Sequence, residues 1–379
     1  MSRYLFTTWY GAGNQVPAIG LAQELAARGH EVRFAGYTGQ RERFERAGFD
    51  FAVLAGADAA YRADEPPERV MAALVEGVWA CPAHLTDLRD ALAAYPCDAV
   101  VADCMMFGVL AALEDASVPV VPLVHSAPGA LFPPGGPGDA MILGAVNAVR
   151  AAAGRRAVGS VWETWAPFPA ICASVAELDP LAARAPASFH YVGPITERRE
   201  PSGWRSPWRR DDPRPLVLAS FSTGYAWDQT SRIARTLAAL DDAERYRVLA
   251  LTAYADPAAL TCPPNAVLRR EVPHDEVLPA VSATVCHAGH GTVAASLAHG
   301  VPVVALPNLG ADQQALAARV AGLGAGIALD GETATSADIA AAVAAVLDEE
   351  SYRTAAAHLA RAIAAAPGAC GAADLLEKS

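Results

Sequence analysis

Residues 4–34 read YLFTTWYGAGNQVPAIGLAQELAARGHEVRF. An apolar run at residues 4–8 leads into a glycine-containing loop, and the apolar residues after the loop recur with helical spacing. Pro17 suits the first position of a helix and Gly29 the position just past its end. A second apolar run follows at residues 30–35. The pattern predicts strand, loop, helix and parallel strand, the first βαβ unit of a doubly wound α/β domain.

The loop of this unit does not match a dinucleotide-binding loop. In a G-x-G-x-x-G fingerprint the third glycine lets the helix approach the strand, and Val16 occupies that position. The second strand ends in Gly36 and Tyr37 rather than in an acid that could bind a ribose hydroxyl. The sequence therefore argues against NAD as the ligand of this loop.

Composition favours a soluble globular protein. The chain has 379 residues, enough for two domains, with 53% apolar and 18% charged residues. Its net charge is -12 and Lys378 is its only lysine, which argues against a nucleic-acid or anionic-membrane partner. No uninterrupted apolar run reaches about 18 residues, so no membrane span is predicted.

The cysteines and the first residues predict a cytoplasmic protein. The seven cysteines are odd in number and widely spaced, and they include no C-x-x-C. Reduced thiols explain that pattern best. The first residues form a strand pattern rather than a charged start followed by the apolar core of a signal peptide.

The rest of the chain repeats the alternation of strand and helix. A segment rich in Pro, Arg and acids interrupts it between residues 191 and 215, after which a strand at 216–221 and a helix at 228–240 restart the pattern. We therefore predict two doubly wound, Rossmann-like domains that face each other across a cleft. The predicted bounds are an N-terminal domain at 1–195, a linker at 196–214, a C-terminal domain at 215–365, and a C-terminal helix at 366–379 that packs back across the junction.

The segment at residues 283–298 predicts an anion site. A strand at 283–286 and a loop at 287–291 precede a helix that begins at Thr292. The helix N-terminus offers unpaired N–H groups and the positive end of its dipole. An ordinary turn needs one glycine, whereas this loop concentrates His287, Gly289, Gly291 and Thr292, which suits a phosphate group.

A metal site is the alternative interpretation of the same loop. His287 and His290 lie three residues apart, but no third ligand lies near them in sequence and the acid of an H-E-x-x-H motif is missing. The chain also contains no Asp-x-Asp motif. We expect no metal.

A second polar pair follows the next predicted strand, at residues 303–306. Asp312 and Gln313 combine a carboxylate with an amide, which suits neighbouring sugar hydroxyls that both donate and accept. The alternative is that Asp312 simply caps the following helix.

Five segments carry a resemblance to a known family. They are LAQELAARGHEV (21–32), YVGP (191–194), EVPHDEVLP (271–279), CHAGHGTVAASLAHGVPVVALP (286–307) and ADQQALAARV (311–320). Together they resemble the inverting nucleotide-sugar glycosyltransferases of bacterial natural-product pathways, which belong to the broad UDP-glycosyltransferase-like family with the GT-B fold. The resemblance extends over nearly the whole chain.

The resemblance implies roles for the donor-side residues. The donor diphosphate would bind at the 287–292 loop, with a second loop closing over the same phosphates. The backbone of Val272 would pair with the nucleobase, although Glu271 replaces the usual stacking aromatic. The sugar would bind at the polar pair that follows the 303–306 strand. The implied donor-binding residues are Ser222, Thr223, Val272, His287, Gly289, Gly291, Thr292, Asp312 and Gln313.

The resemblance also implies a general base three residues before Pro17, where the family usually has histidine and this chain has Asn14. An amide cannot take the proton. The aspartate that would orient the base corresponds to Asp103, whose alternative role is a helix cap. Three explanations stay open: Asp103 deprotonates an acidic acceptor such as a phenol, an aromatic carbon attacks to give a C-glycoside, or His125 is the base.

The acceptor side of the predicted cleft is aromatic and rich in methionine, which suits a bulky apolar aglycone. The predicted acceptor-binding residues are Trp9, Tyr10, Met105 and Phe107, and Met71, Trp79, Met106 and Phe132 lie in the same half of the chain. Residues 128–141 are expected to form a flexible loop over the substrate.

The sequence therefore predicts a metal-independent, inverting glycosyltransferase. It would move a sugar from a nucleoside diphosphate, dTDP being usual among the bacterial enzymes it resembles, to a hydrophobic acceptor such as a polyketide. The alternatives are a nucleotide-sugar epimerase on the same fold and a catalytically silent partner of a glycosyltransferase.

Overall fold

The computed structural model describes residues 1–61, 69–221, 229–308 and 312–378, which form two compact units. Unit 1 comprises Met1–Ala176, Leu181–Arg198 and Ala366–Ser379, and unit 2 comprises Glu177–Pro180 and Arg199–Ala365. Each unit is a parallel sheet with helices between successive strands. The prediction of two doubly wound α/β domains is confirmed.

Unit 1 contains a seven-stranded parallel sheet. Its order is β3-β2-β1-β4-β5-β6-β7, and every neighbouring pair is parallel. The central strands are continuous apolar runs because helices cover both faces of the sheet. The strands are β1 (Arg3–Thr7), β2 (Glu31–Gly36), β3 (Asp50–Val53), β4 (Ala99–Asp103), β5 (Val120–Val124), β6 (Ala170–Cys172) and β7 (Phe189–Tyr191).

The first nine helices belong to unit 1. They are α1 (Ala12–Ala27), α2 (Arg41–Arg46), α3 (Ala55–Ala60), α4 (Val70–Leu74), α5 (His84–Ala94), α6 (Phe107–Leu113), α7 (Pro128–Leu131), α8 (Pro137–Ala152) and α9 (Trp162–Trp165). A π-helical turn, Val75–Trp79, follows α4.

Helix α1 begins earlier than the sequence predicted. The expectation that Pro17 opens the helix is wrong, because α1 starts at Ala12 and contains Pro17. Pro17 has no N–H for the carbonyl of Gly13, and Gly13 is exposed, so water can bind that carbonyl instead. The predicted end is confirmed: Gly29 has a φ of 86° and its N–H donates to the Ala26 carbonyl.

The predicted flexible loop at residues 128–141 is also wrong. Its prolines open helices: Pro128 is the first residue of α7 and Pro137 the first of α8. Asp139 is buried, and its carboxylate accepts hydrogen bonds from the N–H groups of Gly135 and Val161. These bonds fix the start of α8.

Unit 2 contains a second parallel sheet, of order β10-β9-β8-β11-β12-β13. Its strands are β8 (Leu216–Ser220), β9 (Arg247–Leu251), β10 (Ala266–Arg269), β11 (Val281–Cys286), β12 (Val303–Ala305) and β13 (Gly326–Ala328). Its helices are α10 (Thr230–Ala239), α11 (His274–Val277), α12 (His290–Ala298), α13 (Gln313–Gly322), α14 (Ser336–Asp348) and α15 (Glu350–Ala365).

The predicted linker divides at Arg198. Residues 196–198 belong to unit 1 and residues 199–214 to unit 2. In unit 2, Ser202 donates to the Glu276 carboxylate from both its N–H and its hydroxyl, at 2.6 Å each. The Arg269 guanidinium lies 5.6 Å from the ring centre of Trp204. This segment is therefore anchored to unit 2.

The chain returns to unit 1 in α16 (Gly368–Leu376), which packs against α1. The stretch Glu350–Leu376 is long enough, with a mean hydropathy of 1.2, to cross a membrane by length and composition. It consists of two helices that bury different faces. Ala356 and Leu359 of α15 are buried in unit 2, and α16 buries Ala372, Ala373 and Leu376 in unit 1.

The close approach of α1 to residue 196 gives a test of the unit 1 fold. A Cβ at Gly20 would lie 2.3 Å from the backbone oxygen of Thr196, so Gly20→Ala must push α1 away. We expect thermal denaturation to show a lower Tm, equivalent to about 1–3 kcal/mol. Gly144→Ala in α8 is the matched control, because a Cβ there meets nothing within 4 Å and alanine favours the helix. A Gly20→Ala variant as stable as the wild type would contradict the packing.

Candidate functional site

A buried carboxylate organises the polar residues of unit 1. Asp103 is the last residue of β4 and is 6% exposed. Its Oδ1 accepts hydrogen bonds from Trp9 Nε1 and from the backbone N–H of Met105, both at 2.9 Å. Its Oδ2 accepts from Asn14 Nδ2 at 2.8 Å. The helix-cap alternative is wrong, because the cap position of α6 is Met106 and has no side-chain bond.

The orientation of the Asn14 amide follows from its neighbours. Asn14 Nδ2 faces two acceptors, Asp103 Oδ2 at 2.8 Å and the Trp9 carbonyl at 3.3 Å. A flipped amide would place its oxygen against both, so the nitrogen must lie here. Asn14 Oδ1 is buried and has no hydrogen-bond partner among the residues that the structure describes.

His125 lies beside the same carboxylate. It follows β5, the neighbour of β4, and its Nδ1 is 3.7 Å from Asp103 Oδ2. That distance suits an ion pair and exceeds a hydrogen bond. The side chain is 14% exposed, more than Asp103 or Asn14. The structure therefore brings together the three predicted catalytic residues, Asp103, Asn14 and His125, which lie far apart in sequence.

Cys104 completes a cluster that the sequence analysis missed. Its Sγ lies 3.6 Å from His125 Nδ1, and ligand atoms of Asp103, Cys104 and His125 lie within 4.8 Å of one another, close enough to hold a metal ion. The thiol is fully buried, and burial raises its pKa well above the ordinary value. A cysteine binds metal as the thiolate. A metal ion would therefore have to offset the free-energy cost of ionising the buried thiol, and it would compete with the donors already bound to Asp103.

The predicted acceptor-binding residues divide into two groups. Trp9 packs edge-on against Trp79, with ring centres 5.7 Å apart, and Tyr10 is 41% exposed. Trp9, Met105 and Phe107 are all buried in the apolar core of unit 1. Tyr10 differs from these three because it lies exposed in the loop after β1.

The predicted phosphate loop of unit 2 joins β11 to α12. The helix begins at His290, two residues before the predicted start, with Gly289 at its cap position. Ala288 has a φ of 61°, a left-handed conformation that is strained for alanine. A Cβ at Gly289 would lie 2.4 Å from His287 Nε2, whereas one at Gly291 would meet nothing within 4 Å. Gly289 is thus required by the His287 ring, and Gly291 leaves the helix end open.

His287 is a neutral imidazole at the start of this helix. Burial lowers its pKa to about 4, and a hydrogen bond to the Ser220 backbone opposes this only in part. Its Nδ1 is buried and unpaired within the described part of the chain. Thr292, also buried, lies in the first turn of α12. The N-terminus of α12 and the Thr292 hydroxyl suit an anion. The neutral His287 ring uses its one N–H on the Ser220 backbone, so its Nδ1 is left as an acceptor.

Gln313 has a role that the sequence did not indicate. Its Oε1 accepts from Asn308, from the backbone N–H at 3.0 Å and from the side-chain amide at 2.9 Å. Asn308 Oδ1 in turn accepts from Gln229 at 3.1 Å. Asp312 holds the cap position of α13 but makes no side-chain cap bond, so the capping alternative for Asp312 is wrong. The sugar-binding role of both residues stays a prediction.

The remaining donor-side residues lie on other strand ends. Val272 is buried after β10, and Glu271 pairs with Arg199 at 3.6 Å. His274 Nε2 lies 3.0 Å from the hydroxyl of Ser220, the last residue of β8. Ser222 and Thr223 lie outside the described residues.

The chain is similar to known glycosyltransferases in sequence and in fold. Residues 234–378 match the family described as erythromycin biosynthesis protein CIII-like, C-terminal domain. The chain is 29% identical to 4'-demethylrebeccamycin synthase of Lentzea aerocolonigenes, over 99% of both chains. It is 28% identical to demethyllactenocin mycarosyltransferase of Streptomyces fradiae, over 100% of this chain and 86% of the relative. The crystal structure of the glycosyltransferase of kitacinnamycin superposes with a TM-score of 0.79 at 21% identity, over 100% of this chain and 98% of that one.

The fold and these relatives identify a glycosyltransferase with the GT-B fold. More narrowly, the chain is similar to UDP-glycosyltransferase-like proteins of natural-product pathways, and residues 234–378 match the EryCIII-like C-terminal domain. The resemblance drawn from the sequence is confirmed.

The buried His287 gives a prediction for the pH dependence of stability. The unfolded chain takes up a proton near pH 6.5 and the folded ring only near pH 4, so the free energy of unfolding should fall as the pH drops through this range. The loss from this group is on the order of 3 kcal/mol. Urea denaturation at several pH values should show a weaker pH dependence for His287→Asn. Equal dependence in both proteins would contradict a buried neutral ring.

Proposed function

We propose that this chain is a cytoplasmic, inverting glycosyltransferase that needs no metal. It would transfer a sugar or deoxysugar from a nucleoside diphosphate to a hydrophobic natural-product acceptor such as a polyketide. The observation that carries the proposal is the N-terminus of α12, where Gly289 holds the cap position and a Cβ at Gly291 would meet nothing within 4 Å. dTDP is the expected nucleotide, because it is usual among the bacterial enzymes that the sequence resembles.

The donor diphosphate would bind at the 287–292 loop. Negative charge grows on the diphosphate as its bond to the sugar breaks. The helix dipole of α12, its first-turn N–H groups and the Thr292 hydroxyl would offset this charge. The open position at Gly291 leaves room for the phosphate oxygens to approach the backbone.

His125 is the general base that the geometry favours. Both carboxylate oxygens of Asp103 already accept hydrogen bonds, and the residue is nearly buried, so direct proton removal by Asp103 is disfavoured. His125 Nδ1 lies toward that carboxylate, which leaves Nε2 to take a proton. Asp103 would then offset the positive charge that the ring gains.

The step follows from these roles. The acceptor hydroxyl gives its proton to His125 Nε2, and the oxygen forms a bond to the anomeric carbon of the sugar. The bond from that carbon to the diphosphate oxygen breaks on the opposite face, and the diphosphate leaves with the electron pair. Attack opposite to the leaving group inverts the anomeric configuration.

Transferring the histidine from position 125 to position 14 tests the assignment of His125 as the general base. We expect His125→Ala to lower kcat by 10²–10⁴-fold with dTDP-sugars and a polyphenolic acceptor, because the base is lost. Asn14→His should partly restore kcat in the His125→Ala background, since Asp103 already binds the residue at position 14. Sugar transfer followed by mass spectrometry is the measurement, and Cys81→Ala, away from the cluster, is the control for handling.

Two results would count against the proposal. Full activity in His125→Ala and loss in Asp103→Asn would return the base to Asp103. Turnover of the dTDP-sugar without any acceptor would indicate an epimerase, and no turnover with any acceptor would indicate a silent partner.

Removing metal tests the cluster of Asp103, Cys104 and His125. We expect kcat to be unchanged after dialysis against a chelator, because the base mechanism uses His125 unmetallated. A loss that zinc restores would show that the cluster binds a catalytic metal instead.

A further inference from the structure

Two buried polar atoms on side chains that contact Trp9 have no partner among the described residues. They are Asn14 Oδ1, an acceptor, and Trp79 Nε1, a donor. Asn14 is 2% and Trp79 6% exposed. Leaving such an atom unpaired costs about 1–3 kcal/mol, and native proteins contain few of them. Each therefore calls for an explanation.

Both atoms belong to side chains that contact Trp9. Asn14 donates to the Trp9 carbonyl, and the Trp79 ring packs edge-on against the Trp9 ring. Trp9 itself donates to Asp103 through Nε1. The unpaired acceptor and the unpaired donor thus lie in one aromatic cluster next to the carboxylate.

The surroundings of Asn14 prevent its amide from turning to give Oδ1 a hydrogen-bond partner. The Trp9 carbonyl accepts from three side-chain amides, those of Asn14 at 3.3 Å, Gln15 at 3.3 Å and Gln40 at 2.8 Å. Turning the Asn14 amide would set its oxygen against that carbonyl and against Asp103. Asn14 Oδ1 is therefore held away from both.

The covering of these atoms is thin and lies near a helix irregularity. A Cβ at Gly11 would lie 2.6 Å from Asn14 Oδ1, so the bare backbone of Gly11 covers the oxygen. Gly11 is itself partly exposed. Trp79 ends the π-helical turn Val75–Trp79, and such turns occur often at functional sites.

A row of aromatic side chains leads from the π-helical turn to the surface and begins at Tyr37, whose hydroxyl donates to the Gly77 carbonyl at 2.9 Å. The ring centres of Tyr37 and Tyr61 are 5.7 Å apart, and those of Tyr61 and Tyr10 are 6.5 Å apart. Tyr10 is 41% exposed. Aromatic rings favour stacked or edge-on contacts with another aromatic ring.

We propose that the acceptor is an aromatic molecule with polar edges, which donates an N–H or O–H to Asn14 Oδ1 and accepts a hydrogen bond from Trp79 Nε1 through a carbonyl or hydroxyl oxygen. This inference rests on the proposed glycosyl transfer. Asn14 cannot take a proton, so it is a positioning residue and binds a donor group other than the attacked hydroxyl. A purely aliphatic acceptor would leave both atoms unpaired.

Equilibrium binding tests the proposal without depending on turnover. The probes are 7,8-dihydroxyflavone, the flavan that lacks its carbonyl, and 7,8-dimethoxyflavone, which lacks its O–H donors. Titration calorimetry with the wild type should give the lowest Kd for the dihydroxyflavone, with each analogue about 3–10-fold weaker, the effect of one hydrogen bond.

Two variants should each abolish one of these preferences. Trp79→Phe removes Nε1 and should bind the dihydroxyflavone and the flavan equally. Asn14→Ala should bind the dihydroxyflavone and the dimethoxyflavone equally. Trp162→Phe is the matched control, because Trp162 Nε1 is buried but already donates to the Pro128 carbonyl at 3.2 Å. It should lower Tm and keep both preferences.

Distinct outcomes separate this inference from the proposed function. Selective binding by the wild type without sugar transfer would contradict the transferase mechanism and support the recognition pair. Transfer with preferences that neither variant changes would overturn the pair alone. Wild-type protein that binds none of the three probes would also overturn it, and the Asn14→Ala result decides if Trp79→Phe does not fold.

Discussion

The hydrogen bonding of the Asp103 carboxylate is the constraint on which the rest of unit 1 depends. A buried carboxylate is stable only if donors surround it. The donors here come from separate parts of the chain: the loop after β1, the first turn of α1 and the backbone before α6. Each bond fixes a neighbouring group as well as the charge. The Trp9 ring, the Asn14 amide and the backbone of Met105 are therefore held by a single residue at the end of β4.

The two units use opposite means to place polar groups at strand ends. Unit 1 relies on a charge and side-chain donors, and its histidine is partly exposed beside that charge. Unit 2 relies on backbone: a strained Ala288, a glycine at the cap of α12 and an imidazole that burial keeps neutral. A negative ligand suits the second arrangement, and proton transfer suits the first. The two arrangements match the proposed binding of the donor diphosphate in unit 2 and the proposed proton transfer in unit 1.

Local patterns in the sequence predicted the helices and strands well. The spacing of apolar residues and the Gly and Pro residues that bound each element are local properties of the sequence. The strands that became β8, β11 and β12 were placed within two residues, and the C-terminal helix expected at 366–379 is α16. The predicted start of α1 was wrong because proline is typical of the first position of a helix. Pro17 can instead lie inside α1, since Gly13 is exposed and water can bind its carbonyl. Asp103 was expected beside position 14 by resemblance and His125 was a separate candidate for the base, whereas their proximity depends on the order β1-β4-β5 in the sheet. Cys104, the bonds of Gln313 and the unpaired oxygen of Asn14 are tertiary facts with no sequence signal.

The return of the chain to unit 1 has a consequence for biosynthesis. Helix α16 buries Ala372, Ala373 and Leu376 against the side of unit 1 that α1 occupies. On the ribosome, α1 emerges early, whereas α16 emerges only after all of unit 2 has been translated. The part of this apolar core that α16 covers thus stays exposed until that helix has emerged, so unit 1 is begun first but completed last.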